Sequence, residues 1–247
     1  MSTNIKLLRH DIKNIFKDKR TIIVVSFLTL ISLIMSVAFC FVLQNDNSSL
    51  ANQYKAVSNI ESLNTLSSFF IYIYSFLIFS TYPFILGIVT VSYLKEFGEL
   101  ELMMLFPINR KQFFIEKTLC IFLISLVFCW ISILLSCFIQ SSILKTAITF
   151  NSYKLIHSII VLPVWLFFLS LLTIIISSLS KDSKEANQKS LIVPFIMFAA
   201  VQFVFILKIN IFSYKIVFLP LAVGLIGIGI LLLFAKRRMN IERILYS

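Results

Sequence analysis

Six long apolar runs limit what this chain can fold into more than any other feature of its sequence. Crossing the roughly 30 Å hydrocarbon core of a bilayer takes about 20 apolar residues in a helix. The runs that we interpret as spans are Thr21–Leu43, Ser67–Leu94, Thr118–Ile139, Leu155–Leu179, Leu191–Leu207 and Ile216–Phe234. None of them alternates with period two over ten residues, which disfavours a membrane β-barrel. The pattern therefore predicts an all-α polytopic membrane protein with six transmembrane helices.

The overall composition agrees with this prediction and excludes the soluble classes. Of the 247 residues, 59% are hydrophobic and 13% are charged. Soluble domains are roughly 45–50% apolar and about 25% charged. Disordered chains are less hydrophobic still. A membrane protein is the class that remains.

The distribution of Lys and Arg predicts how the chain is oriented. Seventeen of these 22 residues lie in alternate connecting segments, with six in residues 1–20, four in 95–117, three in 180–190 and four from 235 onward. Positive charge concentrates on the cytoplasmic side of a membrane. We therefore expect a multi-pass plasma-membrane protein with both termini in the cytoplasm, and the Lys-, Asn-, Ile- and Phe-rich composition favours a bacterium. Orientation and attraction to lipid headgroups account for the net charge of +11, so no nucleic-acid partner is expected.

The first segment with a possible function beyond anchoring is residues 1–20. Apolar side chains recur there at helical spacing, and basic side chains occupy the remaining face. The residues that define the two faces are Ile5, Leu8, Arg9, Ile12 and Lys13. A basic amphipathic helix of this kind lies in the membrane interface. Either it serves as a topology anchor alone, or it is an elbow helix that also touches a cytoplasmic partner.

The second segment is the longest cytoplasmic connection between spans, KEFGELELMMLFPINRKQFFIEK at 95–117. Pro107 cannot continue a helix and disfavours helical backbone at Phe106. The apolar residues before it either lie in the membrane interface or already enter the third span, or they fill a groove on a partner protein. In the latter case the glutamates pair with basic partner residues. The residues concerned are Glu96, Glu99, Leu100, Glu101, Leu102, Leu105, Phe106 and Pro107.

This segment resembles the cytoplasmic signature between spans two and three of type-2 export permeases of ATP-binding-cassette (ABC) transporters. The residues that carry the resemblance are Glu96, Gly98, Glu99-Leu100-Glu101, Leu105, Pro107, Arg110 and Lys117. The chain departs from the signature at Glu99, where Thr is usual, and at Asn109, where Ser is common. Met104-Leu105 replaces a Leu pair.

The resemblance implies a single transmembrane permease domain over residues 1–247, with the interfacial helix in 1–20 and a coupling segment in 95–112. It also implies two copies of a separate ABC-type ATPase subunit, and a second copy of this permease or a homologous one, in contact with membrane lipid. By the same resemblance, Glu101, Leu102, Leu105 and Phe106 contact the ATPase.

The chain is not expected to be an enzyme by itself. Its sequence has no G-x-x-x-x-G-K-[ST] phosphate loop, so ATP and Mg²⁺ are expected on the partner ATPase and no cofactor on this chain. The four cysteines show no metal-ligand spacing and lie within apolar runs, where Cys acts as a small hydrophobe. No metal site is predicted.

The spans contain no Asp, Glu, Lys or Arg within the predicted boundaries. His157 is either a hydrogen-bonded packing residue or part of a proton pathway, and Gln202 is expected to bond to a neighbouring helix. An uncharged, Phe-rich interior favours a hydrophobic or amphipathic cargo, with peptides, toxins and antimicrobial peptides first and lipids or drugs next. The alternatives are a non-transporting immunity or sensor protein on the same fold, and an ion-coupled carrier.

Proline and glycine positions predict local features of the spans. Four prolines, Pro83, Pro163, Pro194 and Pro220, are expected to bend or interrupt spans two, four, five and six. Three glycines in the last span, Gly224, Gly227 and Gly229, permit close approach of a neighbouring helix.

Overall fold

The computed structural model describes residues 12–13, 15–17, 19–44, 77–92, 110–144, 155–180, 182–206 and 214–238. The helices in these ranges are α1 (Lys19–Gln44), α2 (Thr81–Gly87), α3 (Arg110–Leu144), α4 (Leu162–Leu179), α5 (Ser183–Ile206) and α6 (Tyr214–Arg238). Two five-residue π-helical turns accompany these helices. The first, Ile88–Ser92, follows α2, and the second, His157–Val161, precedes α4. The described residues contain no strand, which confirms the all-α prediction for this part of the chain.

Three described stretches are long and apolar enough to cross a bilayer, namely Thr21–Phe41, Phe113–Leu144 and His157–Leu179. They correspond to the first, third and fourth predicted spans. A shorter apolar stretch, Leu219–Ala235, lies in the predicted sixth span. These stretches identify a polytopic membrane protein, and the total of six spans stays a prediction.

Helix α3 begins at Arg110, ahead of the predicted start of the third span at Thr118. The prediction took Lys117 as the polar boundary of the apolar run. In the structure Glu116 and Lys117 are only 7% and 4% exposed. The Nζ atom of Lys117 lies 5.5 Å from the centroid of the Phe113 ring, a distance at which an aromatic face attracts a cation. The two charges therefore lie within the helix packing and do not end the helix.

Helix α1 buries small side chains and exposes large ones, which suits a helix surrounded by lipid. Its buried face carries Ser32, Ser36 and Cys40, and the helix packs against α3. Its exposed large side chains include Ile23, Phe27, Leu30, Ile34 and Phe41. Lipid tails accommodate large apolar side chains as well as a protein core does, whereas small residues let helix backbones approach closely.

Helix α4 is the centre of the bundle, since it contacts α2, α3, α5, α6 and both π turns. Gly224 and Gly227 of α6 lie against it, and a Cβ atom at Gly224 would lie 3.2 Å from Val164 Cγ1. A Cβ atom at Gly227 would overlap the ring of Phe168, whereas at Gly229 it would meet nothing within 4 Å. The predicted close approach is therefore confirmed at two of the three glycines.

Many buried hydroxyl groups bond to carbonyl groups of their own helix. Ser170 Oγ donates to the Leu166 carbonyl and Thr173 Oγ1 to the Leu169 carbonyl, both at 2.7 Å. Such bonds let a hydroxyl be buried in an apolar bundle without a partner on another helix. The interior is consequently less uniformly apolar than the sequence-based expectation.

The prolines differ in their effect on the helices. Pro163 is the second residue of α4 and lies two positions after the last residue of the π turn His157–Val161. Proline has no N–H with which to continue the regular α-helical pairing. Pro83 stands just after a turn at residues 78–80, where the Thr81 amide donates to the Ile78 carbonyl at 3.0 Å. Pro194 and Pro220 lie inside α5 and α6, which continue past them without interruption.

Candidate functional site

Most residues that the sequence singles out as functional lie outside the described residues. These are Ile5, Leu8 and Arg9 of the interfacial helix and Glu96, Glu99, Leu100, Glu101, Leu102, Leu105, Phe106 and Pro107 of the coupling segment. The structure does describe the chain shortly before the coupling segment and the chain from its last residues onward. The π turn Ile88–Ser92 ends just before it, and α3 begins at Arg110.

The described part of the amino-terminal segment packs on the bundle. Ile12 is partly buried and packs against the main apolar core, to which Ile15 belongs. Lys13 is exposed. The Phe16 ring lies 6.3 Å from the Phe128 ring on α3, within the range of favourable aromatic pairs. The apolar residues of this segment thus contact protein in addition to any lipid.

The other two predicted residues lie on the π turn before α4 and on α5. His157 is the first residue of its π turn and is 3% exposed. The carbonyl of the next residue, Ser158, accepts a hydrogen bond from Trp130 Nε1 at 3.1 Å, which ties this turn to α3. Gln202 lies within helix α5, and the structure describes its backbone but not its side chain.

Helix α2 contacts α4 closely at two positions, one near each of its ends. Near its start, Trp165 Nε1 of α4 donates a hydrogen bond to Ser80 Oγ at 3.2 Å. At its end, a Cβ atom on Gly87 would overlap Thr173 Cγ2 and would lie 3.7 Å from Ile121 Cδ1 of α3. The absence of a side chain at Gly87 is therefore what allows α2 to lie this close to α4. Sequence analysis missed this contact, although Gly87 is the one glycine in the apolar run Ser67–Leu94.

The π turn Ile88–Ser92 follows this contact and lies against α4 and α5. Thr90 is buried, and its hydroxyl donates to the Leu86 carbonyl at 2.8 Å, with the Gly87 carbonyl at 3.3 Å. The turn is thus held by a side-chain hydroxyl as well as by its backbone. It is the last described structure before the predicted coupling segment.

Helix α5 begins with a polar first turn after a short connection from α4. The Glu185 amide donates to Asp182 Oδ1 at 2.6 Å, which caps the helix, and Lys189 Nζ lies 2.7 Å from Glu185 Oε1. An aspartate before the first turn satisfies an amide that has no helical partner. Ala186 is fully buried in this turn. This polar start belongs to the predicted cytoplasmic segment 180–190.

These features together define a class of protein. The described helices have large apolar outer faces, closely packed glycines and hydroxyls, and charges near the start of α3 and α5, which is the arrangement of a polytopic membrane protein.

A comparison with protein-family models gives the family. Residues 5–232 match the model described as "ABC-2 family transporter protein". This match spans most of the chain, and the chain therefore belongs to the ABC-2 transporter family. It is a membrane permease component of an ABC transporter, a type of subunit that works with an ABC ATPase. Neither the search of curated proteins nor that of solved structures gives a match.

Proposed function

We propose that the chain is the membrane subunit of an ATP-driven exporter, with ATP hydrolysis on a separate subunit. The observation that carries the proposal is the ABC-2 family match over residues 5–232. The sequence adds support, since it has no phosphate loop of its own. Work driven by ATP therefore needs a second chain that binds ATP and Mg²⁺.

The proposed complex holds two ATPase subunits and two permeases, the second permease being another copy of this chain or a homologue. Six spans cross a bacterial plasma membrane, and both termini lie in the cytoplasm. The support for this orientation is the concentration of Lys and Arg in alternate connecting segments.

Residues 95–112 form the proposed contact with the ATPase. The sequence provides glutamates for basic partner residues and apolar side chains for a groove, and we assign the contact to Glu101, Leu102, Leu105 and Phe106. The described structure supports a mechanical role for this segment. A Cβ atom on Gly87, before the segment, would overlap Thr173 of α4 and would lie 3.7 Å from Ile121 Cδ1 of α3, after the segment. Helix α3 also packs against α4, so a displacement at either end of the segment would reach the central helix α4.

The proposed cargo is hydrophobic or amphipathic, with peptides, toxins or antimicrobial peptides preferred over lipids or drugs. The stretches Thr21–Phe41 and His157–Leu179 contain no charged side chain. Buried hydroxyls such as those of Ser170 and Thr173 are bonded to their own helix. Ion pathways in membranes normally contain ionisable residues. These two stretches contain one histidine, His157, which is 3% exposed, and otherwise offer apolar and hydroxyl groups.

Replacing both Glu101 and Phe106 with Ala tests the coupling assignment. In proteoliposomes that contain the complete complex, we expect the double variant to insert normally while ATP-driven transport falls at least tenfold. The change removes one charged and one apolar contact, and each is worth about 1–3 kcal/mol where it is buried at an interface.

The matched control is Glu185→Ala with Phe195→Ala, which changes the same residue types elsewhere. Phe195 is 74% exposed, and the Glu185 carboxylate forms an ion pair with the exposed Lys189 at 2.7 Å. This control should transport at the wild-type rate. Wild-type transport by the Glu101→Ala, Phe106→Ala variant would show that the coupling assignment is wrong.

A further inference from the structure

The described part of the second span changes from an α-helix to a π turn after Gly87. From Ser80 to Gly87 it is fixed on α4, because Ser80 accepts the Trp165 hydrogen bond at 3.2 Å and Gly87 leaves no room for a methyl group beside Thr173. Tyr82 and Leu86 are fully buried in the same part. Moving this part along α4 would require the close Gly87 contact to open.

After Gly87 the chain forms the π turn Ile88–Ser92. A π turn pairs each amide with the carbonyl five residues earlier, and it holds one residue more than the regular helix with the same ends. The Thr90 hydroxyl donates to the Leu86 carbonyl at 2.8 Å, with the Gly87 carbonyl at 3.3 Å. The same bond to the carbonyl four residues earlier occurs in the regular helix α4 at Ser170 and Thr173, so this hydroxyl bond is compatible with both α and π pairing.

We propose that the π turn Ile88–Ser92 is a joint that converts between π and α pairing when the ATPase moves the coupling segment. This proposal rests on the proposed function, because it concerns how the motion enters the membrane part. Conversion to α pairing would advance and rotate the following residues by about one helical position, which is roughly 1.5 Å and 100°. The part from Ser80 to Gly87 stays fixed on α4 while the residues after Ser92 move.

A distance between two labels tests the joint in the complete complex. The labels are placed at Lys95→Cys, just after the turn, and at Asn187→Cys, which is exposed on α5. The four native cysteines are buried. We expect the label distance to shift by about 8 Å between the nucleotide-free complex and the complex trapped with ATP and vanadate, because a rotation of about 100° acts on a helix of about 10–12 Å diameter.

Deletion of Val89 removes the extra residue of the turn and leaves a regular helix with both flanks in their original orientation. The ATPase should therefore remain bound in the wild-type amount, while the nucleotide-dependent shift disappears. Retention of the shift would overturn the proposal. Loss of the bound ATPase would overturn the proposal as well, because the extra residue would then determine where the coupling segment lies and not how it moves.

The matched control is deletion of Ile159 from the other π turn, His157–Val161, which is remote in sequence from the coupling segment. The label shift should persist in this variant, and its loss would show that the effect is not local to Ile88–Ser92. Failure of the proposed function itself has a different signature, since the wild-type chain would then purify without an ATPase.

Discussion

The methyl group of Thr173 occupies the space in which a side chain on Gly87 would begin. Gly87→Ala should therefore separate α2 from α4 or displace Thr173, at a cost of about 1–3 kcal/mol, the usual range for overpacking. Thermal unfolding in detergent, followed by size-exclusion chromatography, measures the effect as a lower midpoint.

Two further variants determine whether the clash is the cause. Gly229→Ala adds the same methyl group where nothing lies within 4 Å, and it should leave stability equal or raise it by up to about 1 kcal/mol through helix propensity. Thr173→Ser removes the overlapping methyl group and should restore part of the stability of Gly87→Ala. A double variant no more stable than Gly87→Ala would contradict this explanation.

The two tryptophans should differ in how much they contribute to stability. Trp165 is 4% exposed and bonds to Ser80 of another helix, whereas Trp130 is 41% exposed and bonds to the Ser158 carbonyl. Trp165→Phe loses a buried hydrogen bond and leaves a small cavity, at a cost of about 2–4 kcal/mol. Trp130→Phe should cost about 1 kcal/mol.

Each of these variants leaves a single tryptophan, because the chain contains two. In a bilayer, brominated acyl chains should quench the remaining Trp130 more strongly than the remaining Trp165, because Trp130 is exposed on the apolar stretch Phe113–Leu144 and Trp165 is buried between helices. Equal quenching and equal loss of stability in the two variants would be inconsistent with the position of Trp165 between α2 and α4.

Lys117 should matter for stability although charged residues are usually placed on the surface. It is 4% exposed, and its ammonium group lies over the Phe113 ring at 5.5 Å. Lys117→Ala loses this attraction and the packing of the aliphatic stem, so we expect a loss of about 2–4 kcal/mol, as for other buried charged groups. The exposed Lys184 provides the control, and Lys184→Ala should change stability by less than about 0.5 kcal/mol. Thermal midpoints that fall equally in both variants would refute the buried position of Lys117.

Asp182 should stabilise the start of α5 through its cap. Its Oδ1 accepts the Glu185 amide at 2.6 Å, and loss of such a cap in Asp182→Ala costs about 1 kcal/mol. Asp182→Ser retains an oxygen acceptor and should keep most of the stability. Protease cleavage between residues 180 and 190 is the measurement, and it should be faster in the Ala variant alone.

The helices could largely be predicted from the sequence, because a lipid environment imposes a simple length and composition rule on each span. Three of the predicted spans correspond to long apolar helices of the structure. Helix α3 begins at Arg110, before the predicted third span at Thr118, and nothing in the sequence indicated that Glu116 and Lys117 are buried in it.

The contacts that organise the bundle could not be predicted. Ser80 and Trp165 are 85 positions apart in the chain, and their contact depends on the rotation of two helices about their axes. The hydroxyls of α4 were missed for another reason, since bonds within one helix leave no signal in the spacing of residues. The family was identified by the resemblance of residues 96–117, and the family match confirms it. The coupling segment itself and its contacts stay predictions.

Co-purification tests the central claim most directly. The full-length chain, tagged and extracted in a mild detergent, should bring with it an equimolar ATPase that contains a phosphate loop, and native mass spectrometry should give a mass equal to two permeases and two ATPases. A chain that purifies without any ATPase and transports in vesicles under an ion gradient alone would contradict the account.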